Sequence, residues 1–114
     1  MKERKYTIEN LEELLDNLPY EIWMKDKDGK HIYINKLGAK SVGLSKDEII
    51  GKTDYEIRPT HVADKCIQTD YDLINGKFDK YSHEEKNADL NGISYNVNKF
   101  ILNKDKDLIL GGIE

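Results

Sequence analysis

WMKDKDGKHIYINKLGAKSVGLSKDEIIGKTDYEI, residues 23–57, is the stretch on which the reading of the whole chain turns. An apolar run, Tyr20 to Met24, leads into it and reaches a turn at Asp26-Lys27-Asp28-Gly29. A second run, Lys30 to Ile34, follows. Two β-rich segments of similar length around an Asp/Gly turn predict a hairpin, because Gly supplies the positive φ that such turns demand. After Asn35 the apolar spacing changes. Leu37, Ala39, Val42 and Leu44 recur at intervals suited to short helical turns packed on the hairpin. Ser45-Lys46-Asp47-Glu48 is a capping box, with Ile49-Ile50 as its buried pair and Gly51 where a helix end favours a left-handed residue. Thr53-Asp54-Tyr55-Glu56 is a second box. The stretch thus specifies a hairpin feeding several very short helices.

The order of these signals resembles the N-terminal half of a PAS domain. The matching elements are the Asp26–Gly29 turn, Tyr33-Ile34-Asn35 as a Y-x-N element, and a small-residue helix at Ala39. Gly43-Leu44-Ser45, Glu48 and Gly51-Lys52-Thr53 then follow the pattern x-G-x-S-x-x-E-x-x-G-K-T. The match is continuous over roughly thirty-five residues. It implies an α+β, PAS-like fold: a five-stranded antiparallel sheet covered by short helices and one long helix. It also implies a sensory or regulatory role in a bacterial signalling protein of the histidine kinase or diguanylate cyclase type.

The remainder of the chain reads in the same order. Thr7 is placed to cap a helix over Ile8 to Asn17 that Pro19 stops. Ile8, Leu11, Leu14, Leu15 and Leu18 share one face of it, which either packs on its own domain or pairs with a second copy. Thr60 is a candidate cap for a long helix from His61 to Asn75, closed by Gly76. A polar third strand is expected within Lys80 to Asn87, then a turn at Asp89–Gly92. A fourth strand over Ile93 to Leu102 places Ile93, Tyr95, Val97 and Ile101 on one side. Asn103 to Asp107 turns the chain into a fifth strand, Leu108 to Ile113. Strands, helices, then strands without strict βα alternation argue for α+β. Residues 1–18 read as a flanking helix and 19–114 as the PAS domain. The chain stops shortly before the D-I-T exit motif of the family, so the resemblance implies a domain of a longer protein with a C-terminal output domain.

Composition narrows the function classes. The 114 residues suit one domain with a modest core, and 38% of them are hydrophobic against 35% charged. A formal charge of −4 argues against nucleic acid or an anionic membrane as partner. No apolar run approaches a membrane span and no leader-like stretch opens the chain. The single Cys66 can form no internal disulfide. A cytoplasmic location is the expectation.

No catalytic constellation emerges. The three histidines, His31, His61 and His83, have no second ligand at metal-binding spacing, so no metal is expected. Cys66 and His61 diverge on the long helix, and no serine elbow or phosphate loop exists. Haem through His61 is weighed because some PAS domains bind haem by a histidine on the corresponding helix. Here His61 sits at the helix start, where an exposed histidine is ordinary. The flavin-binding N-C-R-F-L-Q sequence is replaced by Asp64-Lys65-Cys66-Ile67-Gln68. No cofactor is required. What remains is a pocket between sheet and long helix, where ligands sit in the family. Ile22, Met24, Ile32, Ile34, Cys66, Tyr95 and Val97 are the candidate lining, residues of a kind that is more often plain core than ligand contact. The expected mechanism is a shift in homodimer packing, through Ile8, Leu11, Leu14, Leu15 and Leu18, when pocket occupancy changes. Ligand-free dimerisation is the alternative.

Overall fold

In the computed structural model, backbone is described for residues 3–77, 80–87, 93–101 and 108–113, and side chains for 3–77, 96–101, 111 and 112. The expected turns at Asp89–Gly92 and Asn103–Asp107, and Leu102 at the end of the fourth strand, lie outside these residues.

The hairpin forms from β1 (Glu21–Asp26) and β2 (His31–Ile34). Its turn is organised by the Asp26 carboxylate. One oxygen accepts from the backbone N–H of Asp28 at 2.9 Å and of Lys30 at 3.0 Å. Gly29, at φ 81°, takes the left-handed position that closes the turn. Three short helices follow: α2 (Lys36–Val42), α3 (Lys46–Ile49) and α4 (Asp54–Ile57). At α3 the capping box closes in both directions between Ser45 and Glu48, each bond 3.2 Å. At α4 the Glu56 carboxylate accepts from both the N–H and the hydroxyl of Thr53.

The long helix α5 runs Thr60–Ile74, one residue earlier at each end than expected. Pro59, not Thr60, occupies the cap position, and no side chain caps the helix there. The reason is local: the fixed φ of Pro59, at −56°, already lies near helical values and ψ of 145° turns the chain into the first turn. Strands β3 (Lys80–Asn87), β4 (Ile93–Ile101) and β5 (Leu108–Ile113) complete a five-stranded sheet in the order β2-β1-β5-β4-β3. Every pairing is antiparallel. The α+β architecture expected from the sequence is the one observed.

One face of the sheet lies under α5 and the short helices. Trp23, Ile34, Ala39, Ile49 and Val97 form the buried cluster, with Val42, Leu44 and Ile57 against its margin. Gly111 makes this possible. It pairs with Trp23, and a Cβ at that position would collide with the indole ring. The centre of β5 is therefore bare backbone over which a large aromatic lies flat.

The N-terminal helix α1 (Ile8–Asp16) is capped by Thr7, which exchanges hydrogen bonds with Asn10. Its C-terminal end is anchored. The Asp16 carboxylate accepts from the Lys36 N–H at 2.7 Å and from the Lys46 ammonium at 2.8 Å. Asn35 adds a second tie, because its side-chain amide donates to the carbonyls of Leu15 and Tyr20. Its apolar stripe is left open: Ile8 is 72% exposed, Leu11 44% and Leu14 57%. Leu15 and Leu18 are half-buried.

Candidate functional site

Strand periodicity puts alternate residues of β1 and β4 under α5. On β1 these are Trp23 and Lys25; on β4, Val97 and Lys99. The two lysines straddle β5, since Lys99 pairs with Gly111 and Lys25 with Ile109. Their ammonium groups are among the least exposed in the described chain, 1% and 3% by side chain. A buried ammonium requires an anion or several acceptors.

The anions come from two helices. Asp54 stands at the first turn of α4, Asp70 in the third turn of α5. Lys25 Nζ donates to Asp54 Oδ2 at 2.7 Å and to Asp70 Oδ2. Lys99 Nζ donates to Asp70 Oδ1 at 3.2 Å, to Thr69 Oγ1 at 2.6 Å and to the Cys66 carbonyl at 3.3 Å. The Asp70 carboxylate is thus held between two ammonium groups, one oxygen on each. Arg58 Nε, one helical turn after Asp54, donates to Asp54 Oδ1 at 3.0 Å. One lysine therefore links β1 to both α4 and α5, and a second links β4 to α5.

His31 sits beside this cluster with no exposed surface. A bulge in the hairpin places it there. Met24 pairs with Tyr33 but Lys25 pairs with His31, so Ile32 is the extra residue. Both Ile34 and His31 then face inward, while Ile32 is turned out and 42% exposed. His31 Nδ1 lies 2.8 Å from the Lys52 carbonyl, an acceptor only, so that nitrogen carries the proton. Nε2 finds no hydrogen-bond partner among the described residues and stands 3.6 Å from Asp54 Oδ1.

Electrostatics follow from this packing. Burial pulls the Lys25 ammonium towards its neutral form, but Asp70 and Asp54 outweigh it and its pKa is raised. Burial likewise opposes the Asp54 carboxylate, and Lys25, with smaller contributions from His31 and Arg58, overcomes it and lowers the pKa. For His31 burial wins, holding the imidazole neutral with a lowered pKa. Burial also raises the pKa of the Cys66 thiol, the reverse of what a nucleophile needs.

The residues singled out from sequence are divided by this geometry. Ile34 and Val97 lie in the buried cluster, and Cys66 is half-buried on α5, near enough for its carbonyl to hold Lys99. Ile22 and Met24 alternate with Trp23 and Lys25 and so occupy the opposite face of the sheet, away from α5. The bulge separates Ile32 from Ile34. The side chain of Tyr95 lies outside the described residues. His61 is exposed in the first turn of α5. Lys25, Lys99, Asp54, Asp70 and His31 were not among the sequence candidates. Their signal was present: each lysine shares strand parity with an apolar core residue, and Asp70 falls seven residues after Ala63 on the buried stripe of α5. A separate groove of about 460 Å³ opens at the surface between α3 and α4, with Leu44, Ile50 and Ile57 along it and Asp47, Glu48 and Glu56 beside them.

With this geometry in place, the comparisons with known proteins define the class. The chain matches the family described as PAS fold over residues 15–111. It belongs to that family. Solved structures repeat the architecture. The PAS domain of BvgS from Bordetella pertussis superposes with a TM-score of 0.70 at 19% identity, covering 93% of this chain and 83% of that one. VqmA of Vibrio cholerae gives 0.76 at 19% identity, over 96% of this chain and 51% of that one. The RpfR quorum-sensing receptor PAS domain of Cronobacter turicensis, solved in complex with BDSF, gives 0.66 at 14%, over 85% and 93%. In sequence, 66 residues are 30% identical to the uncharacterized protein y4lL of Sinorhizobium fredii, covering 58% of this chain and 8% of that protein. The chain therefore spans a small part of that relative's length.

Proposed function

We propose that this chain is the sensory PAS domain of a bacterial signalling protein of the histidine kinase or diguanylate cyclase type. It takes a small ligand between the sheet and α5 and passes the signal on through homodimer packing. The observation that carries the reading is the cluster of Lys25, Asp54, Asp70 and Lys99 under α5. A buried ion-pair cluster adds little stability that apolar side chains could not match, whereas a polar group set into an apolar interior can orient a ligand. Ligand exchange there acts directly on α4 and α5, the two helices that the lysines hold. The open stripe of α1 supports the dimer. Among the neighbours, VqmA has been solved bound to DPO and RpfR in complex with BDSF, which supports small-molecule binding by this architecture.

In this reading residues 1–18 are a flanking, dimer-forming segment and 19–114 the sensing domain, without catalysis of its own. A C-terminal output domain in a longer, cytoplasmic chain would carry the activity. No described helix is long and apolar enough to cross a membrane. A ligand-free dimerisation module is the second reading, favoured by the fact that the cluster's hydrogen bonds are closed within the chain itself. Native mass spectrometry and an absorption spectrum of freshly purified protein separate the two. A dimer with a bound small-molecule mass supports the sensor. A bare dimer supports the module, and a chromophore band would redirect the reading to haem or flavin.

A further inference from the structure

Asp70 is the unusual member of the cluster. It lies on α5 and neutralises lysines from two strands that are not neighbours, bridging across β5 with one oxygen to Lys25 and the other to Lys99. The hydrogen-bonded set holds three cations, Lys25, Lys99 and Arg58, against two carboxylates, Asp54 and Asp70. Lys25 keeps Asp54 if Asp70 leaves, and Lys99 keeps Thr69 and the Cys66 carbonyl. Each lysine thus retains an acceptor while a two-ammonium gap opens, shaped for one carboxylate.

We propose that Lys25 and Lys99 form a carboxylate clamp, that Asp70 is its internal occupant, and that the ligand is a small carboxylic acid whose head group exchanges with Asp70. The inference rests on the sensory reading and adds the ligand class to it. Two ammonium donors on separate strands recognise a two-oxygen anion in the way that Asp70 displays, and a neutral amide or alcohol offers only half of that match. The exchange conserves buried charge, since one carboxylate replaces another. Release of Asp70 removes the Lys25 tie between β1 and α5 and one of the three acceptors that hold Lys99 to α5, which couples binding to the position of the helix.

Chemical rescue tests the clamp. Acetate carries the carboxylate that Asp70→Ala deletes. The Asp70→Ala protein is melted in sodium acetate and in sodium chloride at equal ionic strength, with acetamide as the neutral control. The expected result is a saturable rise in midpoint with acetate alone, on the order of 5 °C, that Lys99→Met removes. If Asp70→Ala is unfolded in chloride, recovery of its circular dichroism by acetate is the same result. An equal response to chloride, a response that survives Lys99→Met, or no recovery in either salt overturns the clamp. The wild-type chain is then titrated with butanoate and followed by amide NMR. Saturable shifts at Asp70 and Lys99, lost in Lys99→Met, support the exchange; no shifts, or shifts that persist in the variant, overturn it. A wild-type protein that still carries a native ligand while the rescue fails retains the sensory reading and loses only the carboxylate assignment.

Discussion

Asn35 is the residue on which most of the local architecture converges. It is fully buried. Its Oδ1 accepts from the backbone of Ile22 and Gly38, each at 3.0 Å, and its Nδ2 donates to the carbonyls of Leu15 and Tyr20 at 2.9 and 2.8 Å. One side chain thereby joins the end of α1, the start of β1 and the cap of α2. Asn35→Ala removes a partner from four backbone groups, one buried and three part-buried, and should destabilise by roughly 2–3 kcal/mol. Asn35→Asp should do worse although it is nearly isosteric, because a carboxylate then faces the two carbonyls that the amide served. Urea denaturation of both variants checks the order; an Asp variant as stable as wild type would remove Asn35 from this role. His31 gives a second test at the same scale. Burial lowers its pKa on folding below the ordinary histidine value of about 6.5, so the unfolded chain binds the proton more tightly. Stability from this group is complete above about pH 6.5 and falls as pH drops towards the folded pKa. His31→Asn, which preserves a donor to the Lys52 carbonyl, should flatten that part of the profile. The loss of the Asp54 contribution at lower pH should remain in both proteins, because a lowered carboxylate pKa stabilises only while the group is ionised. Equal slopes between pH 5 and 6.5 would contradict the assignment.

At the scale of elements, the sequence was most legible where the chemistry is local. The Asp26 turn, the box at Ser45 and the helix from Ile8 each depend on neighbours within a few residues. The structure has all three. The Ile32 bulge was not legible, because strict alternation is the default in a strand and nothing within HIYI itself marks where it slips. That slip exchanges Ile32 for His31 on the inner face, so the candidate lining drawn from alternation was displaced on β2. The buried lysines were missed for a different reason. Lys25 and Lys99 stand at inward positions, but a lysine in sequence reads as solvated until the carboxylates that neutralise it are known. Those carboxylates are contributed by α4 and α5, twenty-nine or more residues away. The α1 stripe was legible as apolar, and the structure leaves most of it open. Ile8, Leu11 and Leu14 remain exposed beside a well-anchored helix end. Burying such side chains against a second copy contributes on the order of 1.5–3 kcal/mol each. Leu11→Asp with Leu15→Asp should therefore convert a dimer to a monomer in sedimentation velocity. A wild-type monomer at high micromolar concentration, or a double variant that still dimerises, defeats the expectation.

For the whole molecule, the sheet is a platform read from one side. Trp23, Ile34 and Val97 give it a dry half, and Lys25, Asp70 and Lys99 a charged half, both under the same layer of helices. In the proposed reading an amphipathic small molecule takes the place of part of this packing, its polar end at the lysines and its apolar end towards Val97. Signal output in that reading is a change in the packing of α5 or α1, for which no new fold is needed. The central claim is that occupancy of this space is the input. Native mass spectrometry of the purified Val97→Trp protein beside the wild type tests it most directly, since an indole at position 97 crowds the buried cluster and would exclude an occupant there, on a different element from the α1 stripe. The account predicts that the bound mass seen with wild type disappears while the dimer persists. A variant that keeps the bound mass and loses the dimer would place the binding site elsewhere.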